Sequence, residues 1–222
     1  MQKTKVQKHF DTVAKNYDFY KKKNAFYYSN LKNLLKTLIS ENKIVFEVGC
    51  GTGDLLASLN PKAGYGMDLS SEMIRLAKMK YKDKKNLRFF SHLPFTINLS
   101  PDFIFMCDVI EHLENPEETF NKISKSMNDK STFICTMANP IWEPILMTAE
   151  KLGLKMPEGP HTRLKNEELR IMMENVGLKV VKHDYKLLIP VRIPMITNFA
   201  NKYLEKPFNR LAFIEYFVAV KV

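Results

Sequence analysis

The stretch Glu47-Val48-Gly49-Cys50-Gly51-Thr52-Gly53 follows a short apolar run, Ile44-Val45-Phe46, and leads into Asp54-Leu55-Leu56. A buried strand, a tight turn and a helix start are written there in succession. Glycines on alternate positions let the backbone turn sharply under a ligand with no side chain in the way. An acidic residue at the strand end, before the glycines, points at something cationic or amine-bearing. The dinucleotide fingerprint is G-x-G-x-x-G. Here the spacing is G-x-G-x-G, and Asp54 stands where the third glycine would be. That disfavours a nicotinamide-dependent oxidoreductase. A Walker phosphate loop needs Gly-Lys-Ser/Thr, which is absent, and Glu47 would repel a pyrophosphate.

Outward from this turn, strand and helix patterns alternate. Residues 24–39 carry an apolar stripe at helical spacing (Phe26, Leu31, Leu34, Leu35, Leu38). Strands are predicted over 44–48, 63–67, 87–90, 103–107, 132–137, 178–183 and 213–222. Between them, helices are predicted over 54–59, from Ser70-Ser71-Glu72 towards Tyr81, from Pro116 to Met127, and from Asn166 to the helix-stop Gly177. This order argues for a parallel sheet with helices on both faces. Ligands bind such sheets at the carboxyl ends of the strands, at the switch point, where Gly49 to Gly53 and Asp68 would sit. Residues 139–165, with Trp142 and four prolines, and residues 185–212, apolar and broken by proline, break the alternation. Long excursions of this kind are functional or covering elements. With no internal repeat and no low-complexity linker, residues 1–222 read as one domain. Residues 1–40 form its N-terminal helical cap, and 139–165 and 185–212 are lid or substrate insertions.

The chain has 222 residues, 45% hydrophobic and 26% charged, which suits one soluble domain with a large core. No apolar stretch reaches the ~18 residues of a membrane span, and the N-terminus has no apolar signal segment. Cys50, Cys107 and Cys135 lie apart, in or beside apolar runs, and read as reduced, buried thiols of a cytoplasmic protein. Their spacing gives no zinc site, and no metal is expected. The net charge of +10 is carried mostly by scattered lysines, with few of the arginines that read bases and phosphates. This composition argues for a solvated lysine surface over a nucleic-acid interface, and leaves attraction to an anionic membrane surface open.

Three motifs in order, Glu47 to Gly53, Gly64-Tyr-Gly-Met-Asp-Leu-Ser70, and Asp102-Phe-Ile-Phe-Met-Cys-Asp-Val-Ile-Glu-His-Leu113, resemble the class I S-adenosylmethionine (SAM) dependent methyltransferases. The resemblance covers about residues 43–184 and the final strand. It implies an α/β, Rossmann-like seven-stranded sheet, mostly parallel with the last strand antiparallel, with helices on both faces and a small helical lid. It implies SAM as cofactor, released as S-adenosyl-L-homocysteine. SAM has a sulfonium, an ammonium, a ribose and an adenine but no phosphate, in keeping with the glycine turn. Glu47 would sit under the ammonium, Gly49, Cys50, Gly51 and Gly53 would line the ligand, and Asp68 would accept both ribose hydroxyls. A helix cap is the structural alternative for Asp68. Leu69 would flank the adenine or join the core, and Asp108 and Val109 would border the site. Relatives often place an acid shortly before a Leu-Pro-Phe stretch to take the adenine amine. This chain reads Ser91-His92-Leu93-Pro94-Phe95, so Ser91 and His92 are the polar candidates.

His112, with an ordinary pKa near ~6.5, is the candidate general base, with a buried structural role as the alternative. The segment Glu158-Gly-Pro-His-Thr-Arg163 is similar to the loop before a helix in ubiquinone-pathway O-methyltransferases, with Pro160 in place of a threonine. That similarity puts His161 over the acceptor. The N-terminal Phe10, Val13, Ala14 and Tyr17 share one helix face and resemble the lid of quinone-type enzymes, with Tyr17 on the cofactor. A small-molecule acceptor methylated at a hydroxyl is the leading expectation. Methylation of carbon or nitrogen, or of a lipid-linked sugar, is the first rival. A SAM-binding regulatory protein without turnover is the second. Apolar stretches at 141–147 and 186–200, with cations from Lys186 to Arg210, suggest a hydrophobic or lipid-linked acceptor at a membrane surface. Sheet cover or a dimer interface is the competing use of those stretches.

Overall fold

The computed structural model describes residues 4–91, 100–162 and 164–222. Short apolar runs bounded by turn residues become the strands β1 (Ile44–Val48), β2 (Ala63–Met67), β3 (Leu87–Phe90), β4 (Phe103–Cys107), β5 (Thr132–Ala138), β6 (Leu178–Lys186) and β7 (Ile214–Lys221). They form one sheet in the order β3-β2-β1-β4-β5-β7-β6. β7 pairs antiparallel with β5 and β6, and the remaining pairings are parallel. The expected sheet, with its antiparallel last strand, is the observed one.

Strand periodicity sorts the core into two layers. Val45, Phe105, Cys107 and Ile134 face one side, with Leu31, Leu35, Leu55, Leu56, Ile74 and Ala77. Phe46, Val48, Ile104, Met106, Phe133 and Cys135 face the other, with Phe120, Ile123, Leu169 and Met173. Each large side chain taken from water contributes about 1.5–3 kcal/mol, so both faces must be covered. The first layer is closed by α2 (Ala25–Leu38), α3 (Asp54–Ser58) and α4 (Ser71–Lys80), which follow α1 (Lys5–Lys23). The second is closed by α5 (Pro116–Ser126) and α7 (Asn166–Asn175), with α6 (Glu143–Lys151) between them in sequence.

Local chemistry sets the helix starts. Ser70 Oγ accepts from the Met73 amide at 3.1 Å and caps α4. Asn115 caps α5, with Pro116 in the first turn and Glu117 and Glu118 favouring its positive end. α1 begins at the cap Thr4 and runs on well past the Phe10 to Tyr17 stripe. β6 extends to Lys186, beyond its expected end. The connection to β7 then contains a short helix, α8 (Ile196–Phe199), continued by a π-helical turn over Ala200–Leu204. Prolines and a scarcity of inward-facing large apolar residues hide these helical turns from a periodicity search.

The strand order reverses between β1 and β4. Chain connections leave β1 towards β2 and β4 towards β5, which opens a crevice at their carboxyl ends. Gly49 and Asp108 sit on either side of it.

Candidate active site

The glycine loop is tied to the neighbouring strand before any ligand is considered. The amides of Gly49 and Cys50 both donate to the Met67 carbonyl, at 2.7 and 2.8 Å. Gly49, Gly51 and Gly53 have φ of +73°, +51° and +83°, the left-handed region that favours glycine. A Cβ on Gly49 would lie 2.2 Å from Val109 Cγ2, and one on Gly51 would lie 2.9 Å from Cε1 of Tyr17. Val109 and Tyr17 thus border this loop directly. Cys50 is buried with its sulfur against Gly66, so its backbone faces the crevice and its thiol faces the core.

Three carboxyl groups converge on the loop. Glu47 is buried at the end of β1, and its Oε2 accepts from the Leu56 amide at 3.1 Å. Burial pushes its carboxyl up to about 8, against the pull of Lys21 and of the Leu56 amide. Asp68 accepts from the Gly51 amide at 2.8 Å and from the Ser70 amide at 2.9 Å. Burial raises Asp68 despite those two bonds. The cap of α4 is Ser70, which frees Asp68 from that alternative role. Asp108 has φ +55°, a strained conformation for a residue with a Cβ. Its Oδ2 accepts from the Tyr27 hydroxyl at 2.7 Å, while its buried Oδ1 has no hydrogen-bond partner among the described residues. Burial, then the charge of Glu111, pushes Asp108 up to about 7.

α1 lies over this floor. Tyr17 sits on Gly51, and burial raises its phenol well above the usual range. Asp18 accepts from the Thr52 hydroxyl at 2.6 Å and pairs with Lys80 at 2.8 Å. Asp11 accepts from Ser70 Oγ at 2.6 Å. Lys21, nearly buried, lies over the Tyr17 and Tyr28 rings and 3.7 Å from Asp54. Burial pushes Asp54 up, but Lys21, Lys80 and the Tyr81 hydroxyl more than offset that and hold it below its ordinary value. Leu69 is half-exposed, its carbonyl accepting from Gln7 of α1 at 2.9 Å. Ser91 lies just past β3, and His92 lies outside the described residues.

The other wall carries the two histidines. His112 ends a single 3-10 turn, Ile110–His112, with its Nδ1 3.0 Å from the Pro160 carbonyl. A carbonyl only accepts, so Nδ1 carries the proton and Nε2 keeps its lone pair. Burial lowers the His112 pKa, which keeps the ring neutral near pH 7. Phe10 of α1 packs edge-on against it, with ring centres 5.1 Å apart. His161 stands 6.4 Å from His112, centre to centre, its Nδ1 3.0 Å from the Gly159 carbonyl. Glu143 and Glu158 flank His161, each 3.5 Å from a ring nitrogen, and Lys155 neutralises Glu158. The structure therefore brings His112 and His161 together across one wall.

Tyr27, Lys21, Asp18 and Lys80 are the residues around the loop that sequence reasoning missed. Lys21 had a readable signal, since it lies one helical turn beyond Tyr17 on the same face. Tyr27 had none, because only the fold brings α2 to the end of β4.

The buried carboxyl of Glu47, the half-buried ones of Asp68 and Asp108 with its orphan oxygen, and a glycine loop fit a ligand that carries positive charge and hydroxyls. They do not fit a polyphosphate. The sheet order, with the glycine loop at the switch point, is that of the class I methyltransferase fold. A family model described as a methyltransferase domain matches residues 20–183, and the chain belongs to that family, whose cofactor is SAM. It is similar to an uncharacterized protein of Methanocaldococcus jannaschii, 28% identical over 141 residues, covering 62% of this chain and 53% of that protein. It is also similar to the ubiquinone biosynthesis O-methyltransferase of Hydrogenovibrio crunogenus, 26% identical over 152 residues, covering 62% of this chain and 63% of that protein. The chain thus matches only part of the length of each curated relative. A Thermotoga maritima structure described as a SAM-dependent methyltransferase shares the fold, with a TM-score of 0.73 at 19% identity over 98% of this chain and 100% of that one.

Proposed function

We propose that this protein transfers a methyl group from SAM to the hydroxyl of a small, apolar molecule. The observation that carries the proposal is the pairing of a neutral, oriented His112 with His161 on the wall beside the acidic crevice. The cofactor supplies an electrophilic methyl group on a sulfonium. Glu47, Asp68 and Asp108 would hold its cationic and hydroxyl-bearing parts, with Tyr17 and Val109 as walls. His112 would accept the acceptor's hydroxyl proton at Nε2 as the oxygen bonds to the methyl carbon and the carbon–sulfur bond breaks. A neutral imidazole is the competent form for that task. The name of the Hydrogenovibrio crunogenus relative supports the O-directed choice. Residues 1–222 would act as one methyltransferase domain, with α1 as lid and the 139–165 and 185–212 segments covering the acceptor.

Incubation with labelled SAM and fractionated cell extract identifies the acceptor class, with label expected in a small-molecule or lipid fraction. His112→Ala should leave SAM affinity unchanged by calorimetry and slow transfer to a hydroxyl acceptor by about 100-fold or more. Full turnover by that variant would mean that His112 is structural and takes no proton from the acceptor. Label found solely in protein or nucleic acid would overturn the small-molecule reading.

A further inference from the structure

The connection from β6 to β7 inverts the usual pattern of a surface helix, which buries large apolar side chains and shows polar ones. α8 and its π-helical continuation bury Thr197 and Ala200, and expose Ile196, Phe199 and Tyr203. Met195, just before, is 85% exposed, and Phe208 and Leu211, just after, are half-exposed. Polar bonds hold the inward side. Thr197 Oγ1 donates to the Val191 carbonyl at 2.7 Å. Asn201 accepts from the Ile189 amide at 2.8 Å and donates to its carbonyl at 3.1 Å. The large apolar side chains are thus held outward by a built framework.

Cations interleave with them. Arg192, Lys202, Lys206 and Arg210 are all exposed. The single acid between 187 and 212 is Glu205, which is engaged by Lys186 and by the Leu187 amide at 2.7 Å. Exposed apolar side chains recur in α6, where Ile145 and Met147 are more than half exposed, and the segment leading into α6 is tied to the end of the 185–212 connection. Asn139 Nδ2 donates to the carbonyls of Arg210 and Ala212, and Trp142 Nε1 to that of Leu211, each at 2.9 Å. Both segments leave the sheet at the carboxyl ends of β5 and β6, the edge that also carries the glycine loop.

We propose that this face docks on an anionic lipid bilayer. Its apolar side chains would enter the headgroup layer, with its cations on lipid phosphates. An acceptor with an apolar tail would then reach the crevice from the membrane; this purpose, though not the docking itself, rests on the methyltransferase reading. A second copy fits the face less well. A two-fold contact over residues 187–212 would bring like cations towards one another, and the one acid in that stretch, Glu205, is already engaged.

Flotation of the full chain with vesicles tests this, using phosphatidylcholine alone and phosphatidylcholine mixed with phosphatidylglycerol. The chain should float with the anionic vesicles at ~0.05 M salt and be released at ~0.5 M. The double variants Phe199→Glu with Tyr203→Glu, and Lys202→Glu with Lys206→Glu, should each lower binding about 10-fold or more. Circular dichroism and SAM calorimetry should stay unchanged, which separates a docking failure from a failure of the methyltransferase reading. Absence of binding to either vesicle, or binding indifferent to both double variants, overturns the proposal. So does a dimer in sedimentation equilibrium that Phe199→Glu dissolves, since the face would then belong to a second copy.

Discussion

Gly49 must be glycine because of Val109, a residue on a different strand end. The φ of +73° would cost a side-chain-bearing residue about 1–2 kcal/mol, and the 2.2 Å approach of Val109 adds overpacking. The sequence shows that these positions need glycine, but the neighbours that impose it become visible once the sheet is assembled. Asp68 is expected from the sequence to accept the ribose hydroxyls. In the structure it directly follows β2, faces the loop, and accepts two backbone amides. Asp68→Ala would leave the Gly51 amide without this acceptor and remove the carboxylate proposed for the ribose. Losing charge-assisted hydrogen bonds worth about 1.5–3 kcal/mol each should weaken SAM binding by roughly 10- to 100-fold or more in calorimetry. Near-unchanged affinity would place the ribose elsewhere.

At the scale of elements, α1 joins the two halves of the site. Tyr17 covers Gly51, Asp18 holds Thr52, and Asp11 holds Ser70 on the side of the glycine loop. On the side of the two histidines, Phe10 covers His112, the His9 ring meets the Pro157 carbonyl at 3.0 Å, and Lys23 donates to the Gly153 carbonyl at 2.8 Å. The Phe10 to Tyr17 stripe was legible, because helical spacing is a local property. Its targets were not legible, since they come from contacts distant in sequence. The same limit explains the 185–212 segment, whose helical turns carry no apolar stripe facing the core. α1 buries little besides Val6 and Ala14, so it should open locally more readily than the sheet. Trypsin should therefore cleave first at its lysines, such as Lys15 and Lys22. Saturating SAM should slow that cleavage, and Tyr17→Ala should speed it in the free protein. Equal cleavage rates with and without SAM would mean that α1 does not close on the cofactor.

The whole molecule carries a net charge of +10, yet around its crevice it gathers acids. Glu47, Asp68 and Asp108 are all raised by burial, Glu47 to about 8 and Asp108 to about 7. Such a group holds a proton in the folded state that the unfolded chain has already lost. Stability is then greatest below the ordinary carboxylate range and falls as pH climbs towards the raised value. His112, which is lowered, acts in the opposite sense: the unfolded chain takes up a proton near ~6.5 that the folded one refuses, so its contribution rises with pH there. Between pH ~6.5 and ~8 the carboxyl groups dominate, and the cofactor-free protein should lose stability, by an amount on the order of 1–2 kcal/mol. Its Tm should fall across that window. Glu47→Gln should flatten the curve by raising Tm at the upper end, because the neutral amide needs no proton to stay buried. SAM should also flatten it, since a bound cation favours the ionised carboxyl groups. A parent Tm that rises steadily over the same window, or a Glu47→Gln curve that superimposes on the parent, would mean that Glu47 is already ionised in the empty crevice. The acidic floor would then be solvated and could not be tuned by burial for a cationic ligand.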